Sequence, residues 1–272
     1  MLPINFHQTF VPERRHIEKL LHYAALGKQG SMQELAEDTG IPMGKSSGKA
    51  PAIVSYAKGM GLIEAGGSRP SKVIEPTLTP FGRAVYLGDR CLEEPLTQWL
   101  VHLNLCRGDI GAEAWHAVFA KARNSLGNRF TRPQLEEYLA RRFGPGRDRT
   151  GPLVRTYTDS AALGGANVLA VREEWVERRA MPVRDDWGPA YAAALLSVLE
   201  SQFAGREQVT LDEVRETHWF DAAYWSEADI EALCMTLDRC GYLKVDRQLK
   251  PWVLDRHAQA AKVWPLVYEY SR

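Results

Sequence analysis

The sequence predicts a mainly α protein in which two winged-helix-like units, each with a short β-hairpin wing, flank a helical middle region. Three observations predict this class. Apolar residues recur at helical spacing along most of the chain, Ser or Thr caps followed by an acid start several helices, and short β-like runs follow the third helix near each end. We expect the units to be residues 1–88, 89–186 and 187–272.

The first unit begins with three predicted helices. The segment RRHIEKLLHYAALGKQG has its apolar residues on one face and ends near Gly27. A second helix starts at Ser31, which forms a capping box with Glu34. After the turn TGIPMG a third helix starts near residues 48–50, because Pro51 is tolerated only in the first turn of a helix.

A hairpin completes the first unit. The segment GLIEAGGSRPSKVIEPTL has two β-like runs around a tip rich in Gly, Ser and Pro. Helix, capped helix, turn, helix and hairpin form the winged helix-turn-helix pattern. The third helix and the hairpin tip are the parts of this pattern that commonly contact DNA.

The stretch from Gly40 to Ser46 contains Gly-Lys-Ser, which ends the phosphate loop of nucleotide-binding proteins. The spacing is one residue short, and a helix rather than a strand precedes it, so we expect no bound nucleotide. Lysine charge and exposed backbone N–H groups at a helix start favour an anion. We therefore predict that a nucleic-acid phosphate binds there; the alternative is a protein-binding module with solvated lysines. The predicted DNA contacts are Lys45, Ser46, Ser47, Lys49, Lys58, and, in the wing, Arg69 and Lys72.

The middle region reads as helical. The segments EEPLTQWLVHLNLC, GAEAWHAVFAKA and TRPQLEEYLARRFG have helical patterns, and a basic loop, GPGRDRTGP, follows the third. Asn128 to Arg155 contains seven arginines against three acids. Backbone binding and a solvated loop are both open for this region. The predicted phosphate contacts are Arg141, Arg142, Arg147 and Arg149, with Arg155 in the same cluster.

The C-terminal region repeats the plan of the first unit. The helical segments YAAALLSVLESQF, TLDEVRE and SEADIEALCMTLDRC precede the β-like runs GYLKV and RQLKPWVLD. The helix starts carry Glu213, Glu227 and Asp229, where the first unit has lysines. We therefore predict a packing or partner surface here rather than a DNA reader.

The composition is that of an ordinary globular chain. The 272 residues have zero net charge, but residues 1–88 hold 10 Lys/Arg against 7 Asp/Glu, residues 89–186 hold 15 against 14, and residues 187–272 hold 9 against 13. No apolar run reaches the length of a membrane span, and MLPINFHQTF lacks the pattern of a signal peptide. Four cysteines without metal-site spacing indicate reduced thiols, so we expect a cytoplasmic protein.

Several stretches together carry a resemblance to a known family. NFHQTFVPERRHIEKLL, TGIPMGKSSGKAPAIVSYAKGMGLIE, LTPFGRAVY, CLEEPLTQWLVHLNL and AWHAVFAKA resemble the SspB-like family of bacterial DNA phosphorothioation and phage-defence operons. The resemblance covers residues 4–120 well and the rest loosely. It implies a DNA-nicking component that opens one strand so that sulfur can replace a non-bridging phosphate oxygen. The implied partners are a cysteine desulfurase, an ATPase and an ATP-pyrophosphatase-like enzyme.

Cutting a phosphodiester needs a nucleophile, charge neutralisation and commonly a carboxylate-bound metal. His7, Glu13 and His16 are the catalytic candidates, with Arg14 and Arg15 as phosphate clamps; the alternative is an N-terminal strap packed through its phenylalanines. A second cluster around His102 is better explained as a core histidine. Mg²⁺ or Mn²⁺ is the cofactor that this chemistry would use.

These observations lead to one functional expectation and one alternative. We expect a protein that binds double-stranded DNA within a phosphorothioation-linked defence system and acts as, or with, a nicking endonuclease. The alternative is a non-catalytic DNA-binding adaptor or a transcription regulator.

Overall fold

A computed structural model describes residues 1–44, 48–66, 73–146 and 149–269. Within these ranges the chain is mainly helical and has three small antiparallel sheets, which confirms the predicted fold class at this level. None of the described helices has the length and apolar character needed to cross a lipid bilayer. The predicted contacts Lys45, Ser46, Ser47, Arg69, Lys72 and Arg147 lie outside the described residues.

The helices and strands have the following bounds. The α-helices are α1 (Arg14–Ala25), α2 (Met32–Thr39), α3 (Lys49–Gly59), α4 (Pro80–Gly88), α5 (Pro95–Leu105), α6 (Glu113–Trp115), α7 (Arg123–Leu126), α8 (Arg132–Phe143), α9 (Thr150–Thr158), α10 (Gly188–Gln202), α11 (Leu211–Glu216), α12 (Trp219–Ala222), α13 (Glu227–Cys240) and α14 (Ala260–Val263). A π-helix (His116–Lys121) continues α6, and 3₁₀ turns cover Gly164–Ala166, Asp185–Trp187 and Trp264–Leu266. The strands are β1 (Ile63–Gly66), β2 (Glu75–Leu78), β3 (Arg129–Thr131), β4 (Leu169–Arg172), β5 (Trp175–Arg178), β6 (Gln208–Thr210), β7 (Leu243–Asp246) and β8 (Val253–Arg256).

The chain divides into two compact units. The first is Met1–Arg179 and the second is Ala180–Arg272. Residues 1–88 and most of residues 89–186 therefore belong to one compact unit, and the three-part division stays a prediction. By charge the units are opposites: the first holds 24 Lys/Arg against 19 Asp/Glu, and the second holds 10 against 15.

Capping residues set the starts of several helices. In each of four capping boxes the cap hydroxyl accepts the N–H of the third helical residue, whose side chain accepts the N–H of the cap residue. One such cap is worth about 1 kcal/mol. The boxes are Ser31–Glu34, Thr131–Gln134, Thr210–Glu213 and Ser226–Asp229, and the three predicted boxes at Ser31, Thr210 and Ser226 are confirmed.

The motif LTPFG has a local structural role. The Thr79 side chain accepts the Gly82 N–H at 2.8 Å, and Pro80 occupies the first position of α4, where its missing N–H costs nothing. A Cβ on Gly82 would lie 1.8 Å from the Leu62 carbonyl oxygen. Glycine is therefore required for α4 to pack against the start of the β1–β2 hairpin.

One plan of elements occurs three times. In each copy a helix is followed by a short strand or bridge, two or three more helices and a hairpin. The middle copy has strand order β3-β5-β4, and the C-terminal copy has β6-β8-β7. In the first copy the isolated bridge between Gly30 and Ile74 takes the place of the first strand beside β1-β2. The sequence indicated this plan at the two ends only; the middle copy, expected to be helical, also contains a sheet.

Aromatic side chains fill the core of the first unit. His102 is fully buried, its Nδ1 lies 2.5 Å from the Tyr157 hydroxyl, and the Trp115 indole N–H donates to the same hydroxyl at 2.9 Å. These contacts confirm that His102 is a core residue.

All four cysteines are free, and Cys106 and Cys234 are buried.

Candidate nucleic-acid interface

Helix α3 starts as its sequence predicts, but other segments of the same chain pack closely against its first residues. Gly48 precedes the helix, and a Cβ at this position would lie 2.9 Å from the Met43 Cα, so only glycine fits. Pro51 lies in the first turn, where no hydrogen bond is lost. The predicted start near residues 48–50 is confirmed.

The described amide groups at this helix start already have acceptors. The Lys49 and Ala50 N–H groups donate to the Pro42 carbonyl at 3.1 and 3.2 Å, and the Gly48 N–H donates to the Gln8 side-chain oxygen at 3.3 Å. The expectation of exposed N–H groups is therefore wrong for these three amides. The physical reason is tertiary: the N-terminal segment and the turn before the helix supply oxygen atoms that a sequence pattern does not reveal.

Lys49 forms an ion pair with Glu13. The Lys49 ammonium donates to one carboxylate oxygen, and both side chains are only 16% exposed. The Arg15 guanidinium donates to the other oxygen at 2.9 Å, and the His16 Nε2 lies 3.6 Å from it. We call Glu13, Arg15, His16 and Lys49 the Glu13 cluster. It brings two of the catalytic candidates together with two of the predicted phosphate contacts.

Charge and burial set the protonation of the cluster. Burial raises the pKa of Glu13, but its bonds to Lys49 and Arg15 outweigh burial and hold that pKa below the usual range. His16 is 4% exposed; burial, together with the nearby lysine and arginine charges, lowers its pKa despite the attraction of Glu13. At neutral pH the cluster therefore holds an ionised Glu13, a neutral His16 and two cations.

Residues 1–13, which we call the strap, fix this arrangement. The Phe6 ring packs at 4.7 Å from Tyr56 and 5.6 Å from Trp115 between ring centroids. The Tyr56 hydroxyl donates to the Phe10 carbonyl at 3.1 Å, and the Arg155 guanidinium donates to the Thr9 carbonyl at 2.8 Å. The strap is thus attached to α3 and α9 by side chains that lie far from it in sequence.

His7 lies in the packed part of the strap. It is 2% exposed, its Nδ1 accepts the Thr9 N–H at 3.1 Å, and its ring lies beside Phe6 and Trp115. These contacts support the strap interpretation for His7. Gln8 and Thr9 have φ angles of 46° and 71°, the left-handed region that non-glycine residues adopt with strain. The strained turn is where the strap directs Gln8 to the start of α3.

Structural comparison places this geometry on a known fold. A crystal structure described as SspB matches with a TM-score of 0.72 and 18% identity, over 98% of this chain and 87% of that chain. The chain is SspB-like in fold. A second structure, described as magnesium ion-bound SspB, matches with a TM-score of 0.70 and 17% identity over the same shares. No protein-family model matches the chain, and no curated protein matches it.

The magnesium in the SspB structure raises the question of metal ligands in this chain. Across the described ranges, no three His, Cys, Asp or Glu side chains converge as a metal site would require. In the Glu13 cluster both carboxylate oxygens already accept hydrogen bonds from cations. The cluster as arranged does not fit a divalent ion, and we assign no metal ligands; Mg²⁺ or Mn²⁺ stays a prediction.

Two of the predicted DNA contacts bind the protein's own backbone. The Arg14 guanidinium donates to the carbonyl of Ser160 at 2.9 Å and to that of Leu92 at 3.4 Å. Arg149 is 6% exposed and donates to the Gly144 and Pro145 carbonyls at 2.7 and 3.2 Å. Because both arginines already donate to backbone carbonyls of the protein, we leave them out of the proposed interface.

The remaining predicted contacts are exposed to solvent. Lys58 lies in the last turn of α3, Arg15 is 71% exposed, and Arg141 is 75% exposed beside Glu137. Arg142 is exposed and lies over the Phe143 ring. The sequence did not indicate that Gln8 accepts from Gly48 or that Tyr56 donates to Phe10, because no periodicity connects residues 40 or more positions apart.

Proposed function

We propose that the chain is a DNA-binding protein of a DNA phosphorothioation system with an anti-phage role, and that it acts as, or with, a nicking endonuclease. The observation that carries this proposal is the SspB-like fold over nearly the whole chain. The sequence resemblance of residues 4–120 supports it from an independent direction. The expected partners are the cysteine desulfurase, the ATPase and the ATP-pyrophosphatase-like enzyme of such a system.

We interpret the repeated plan of elements as a winged helix, with α3 as the recognition helix of the first copy. Two features of the repeated plan support that interpretation: its strand order, and the α-helix that precedes each hairpin. The proposed contacts within the described residues are Arg15, Lys49, Lys58, Arg141 and Arg142. Lys45, Ser46, Ser47, Arg69, Lys72 and Arg147 remain predicted contacts.

The Glu13 cluster supplies the chemistry for backbone binding. A phosphate carries the same charge and the same kind of oxygen acceptors as the Glu13 carboxylate, so it can replace Glu13 as the partner of Lys49 and Arg15. A His16 ring that is neutral at pH 7 can accept a proton, which suits a general base, and its Nε2 lies 3.6 Å from a Glu13 oxygen. Because His16 is buried, this role requires the strap to move when DNA binds.

A specific observation favours the second candidate, a non-catalytic adaptor or transcription regulator. Glu13, the only carboxylate in the cluster, is bound by two cations, which is the usual arrangement of a structural ion pair. A regulator needs only the phosphate contacts of α3. The two candidates therefore agree on DNA binding and differ on strand cleavage.

Incubation with supercoiled plasmid and Mg²⁺ or Mn²⁺ separates the candidates. A nickase converts the plasmid to the open circle, and His16→Ala abolishes conversion while gel retardation of DNA persists. Retardation without open circles in the wild type supports the adaptor. If the wild type neither retards nor nicks double-stranded DNA, both candidates are rejected.

A further inference from the structure

The second unit has a cleft between α11, α13 and the segment that enters β8. Its volume is about 360 Å³. Leu211 and Ile230, 6% and 3% exposed, form an apolar floor, and the half-buried Trp252 forms one wall. An apolar floor of this kind takes an apolar side chain from a partner.

Carboxylates surround the cleft. Asp212 and Glu227 are 72% and 73% exposed, and Glu231 is exposed one turn beyond Glu227 on α13. Arg215 donates to Glu227 at 2.7 Å and lies 3.8 Å from Asp212, so its charge is taken up within the cleft. Apart from Lys250, the charge that the rim offers to a partner is negative.

Exposed apolar side chains extend the same surface. Met235 follows Glu231 by four residues on α13, so the two share a helix face, and it is 44% exposed. Leu249, beside the cleft residue Lys250, is 81% exposed. Large exposed apolar residues next to a cleft mark a protein-binding surface rather than a nucleic-acid surface.

The acidic character extends to the whole unit. Residues 180–272 hold 10 Lys/Arg against 15 Asp/Glu, and the first turn of α13 carries Glu227 and Asp229. Phosphate oxygens are repelled by such a surface, whereas lysine and arginine are attracted to it. The negative charge of this surface therefore favours a partner with lysine or arginine side chains over a nucleic-acid phosphate.

We propose that this cleft docks a segment of a partner protein in which an apolar side chain is flanked by lysine or arginine. The apolar side chain enters between Ile230 and Trp252, and the cations pair with the rim carboxylates, chiefly Glu231. The residues of this surface all belong to the second unit, so the proposal does not depend on the DNA contacts proposed for α3.

A library of random dodecapeptides, selected on the full-length chain, tests the proposal. We expect enriched peptides to share an apolar residue flanked by Lys or Arg. Glu231→Lys should weaken their binding about tenfold or more, since it reverses a rim charge. Glu269→Lys, the same charge reversal at an exposed residue of the same unit that does not line the cleft, should leave binding unchanged.

Three results would overturn the proposal. One is the absence of any enriched peptide, or enriched peptides that lack a cation or ignore Glu231→Lys. Another is a wild-type dimer that Glu231→Lys dissociates in sedimentation, which would assign the cleft to a second copy of the chain. The last is weaker DNA binding by Asp212→Asn or Glu231→Gln, since loss of a carboxylate weakens DNA binding only where that carboxylate takes part in it.

Discussion

The starts of α3 and α13 occupy the same place in two copies of one plan, yet their acceptors come from different sources. At α13 the helix caps itself, because the Ser226 hydroxyl accepts the Asp229 N–H and the Asp229 carboxylate accepts the Ser226 N–H. At α3 no side chain of the helix caps it, and the oxygen atoms come from Gln8 and Glu13 of the strap and from the Pro42 carbonyl. A self-capped acidic start excludes phosphate permanently, whereas an acceptor from a separate segment can be exchanged for phosphate.

The largest expected effect comes from loosening the strap. Phe6→Ala removes a ring that is 8% exposed between Tyr56 and Trp115, so we expect a loss of about 3 kcal/mol in the free energy of unfolding. Denaturant unfolding measures it. Leu249→Ala, at a site 81% exposed, is the control and should change stability little. Equal stabilities for the two variants would mean that the strap does not hold α3.

The next effect tests the exchange of Glu13 for phosphate. Glu13→Gln keeps the size of the side chain but removes the charge that competes for Lys49, so affinity for double-stranded DNA should rise about fivefold. Fluorescence anisotropy at fixed salt measures it. Glu18→Gln, whose partner is Arg90, is a matched control in α1, the helix that Glu13 precedes. An affinity of Glu13→Gln at or below that of the control contradicts the exchange.

The corresponding change at α13 sharpens the contrast. Ser226→Ala removes the cap hydroxyl and should lower the free energy of unfolding by about 1 kcal/mol. Because this acidic helix start does not contact phosphate in our account, DNA affinity should stay unchanged. A parallel fall in DNA affinity would show that the two helix starts are not functionally distinct.

The smallest effect is on the acid side of the stability profile. The folded pKa values of Glu13 and His16 are both lowered, so the unfolded chain binds more protons and the stability from each group is lost as pH falls. For His16 the loss begins below its unfolded pKa of 6.5, and for Glu13 below 4.5. Thermal unfolding midpoints across pH 7 to 4 should fall less steeply in His16→Ala than in the wild type. An unchanged slope would mean that His16 is not buried as a neutral ring.

Local signals in the sequence predicted the local structure well. Ser31, Thr210 and Ser226 cap the helices that their spacing indicates, and Pro51 lies in the first turn of α3. These features depend on residues within one helical turn of each other, so a linear pattern contains them.

The features that the sequence did not reveal depend on tertiary contacts. Glu13 reaches Lys49 across 36 positions, and Gln8 reaches Gly48 across 40. The basic pattern predicted Arg149 as a phosphate contact and could not show that its acceptors are the Gly144 and Pro145 carbonyls. The pairing of β3 with β5 in the middle copy was missed because helices α8 and α9 separate the two strands along the chain.

The salt dependence of DNA binding by Lys49→Ala tests the central claim most directly. If Lys49 pairs with a backbone phosphate, the slope of log affinity against log salt should fall by about one relative to the wild type. Lys262→Ala, an exposed lysine in the acidic unit, should keep the wild-type slope. A Lys49→Ala slope equal to that of the wild type would contradict DNA docking at the start of α3.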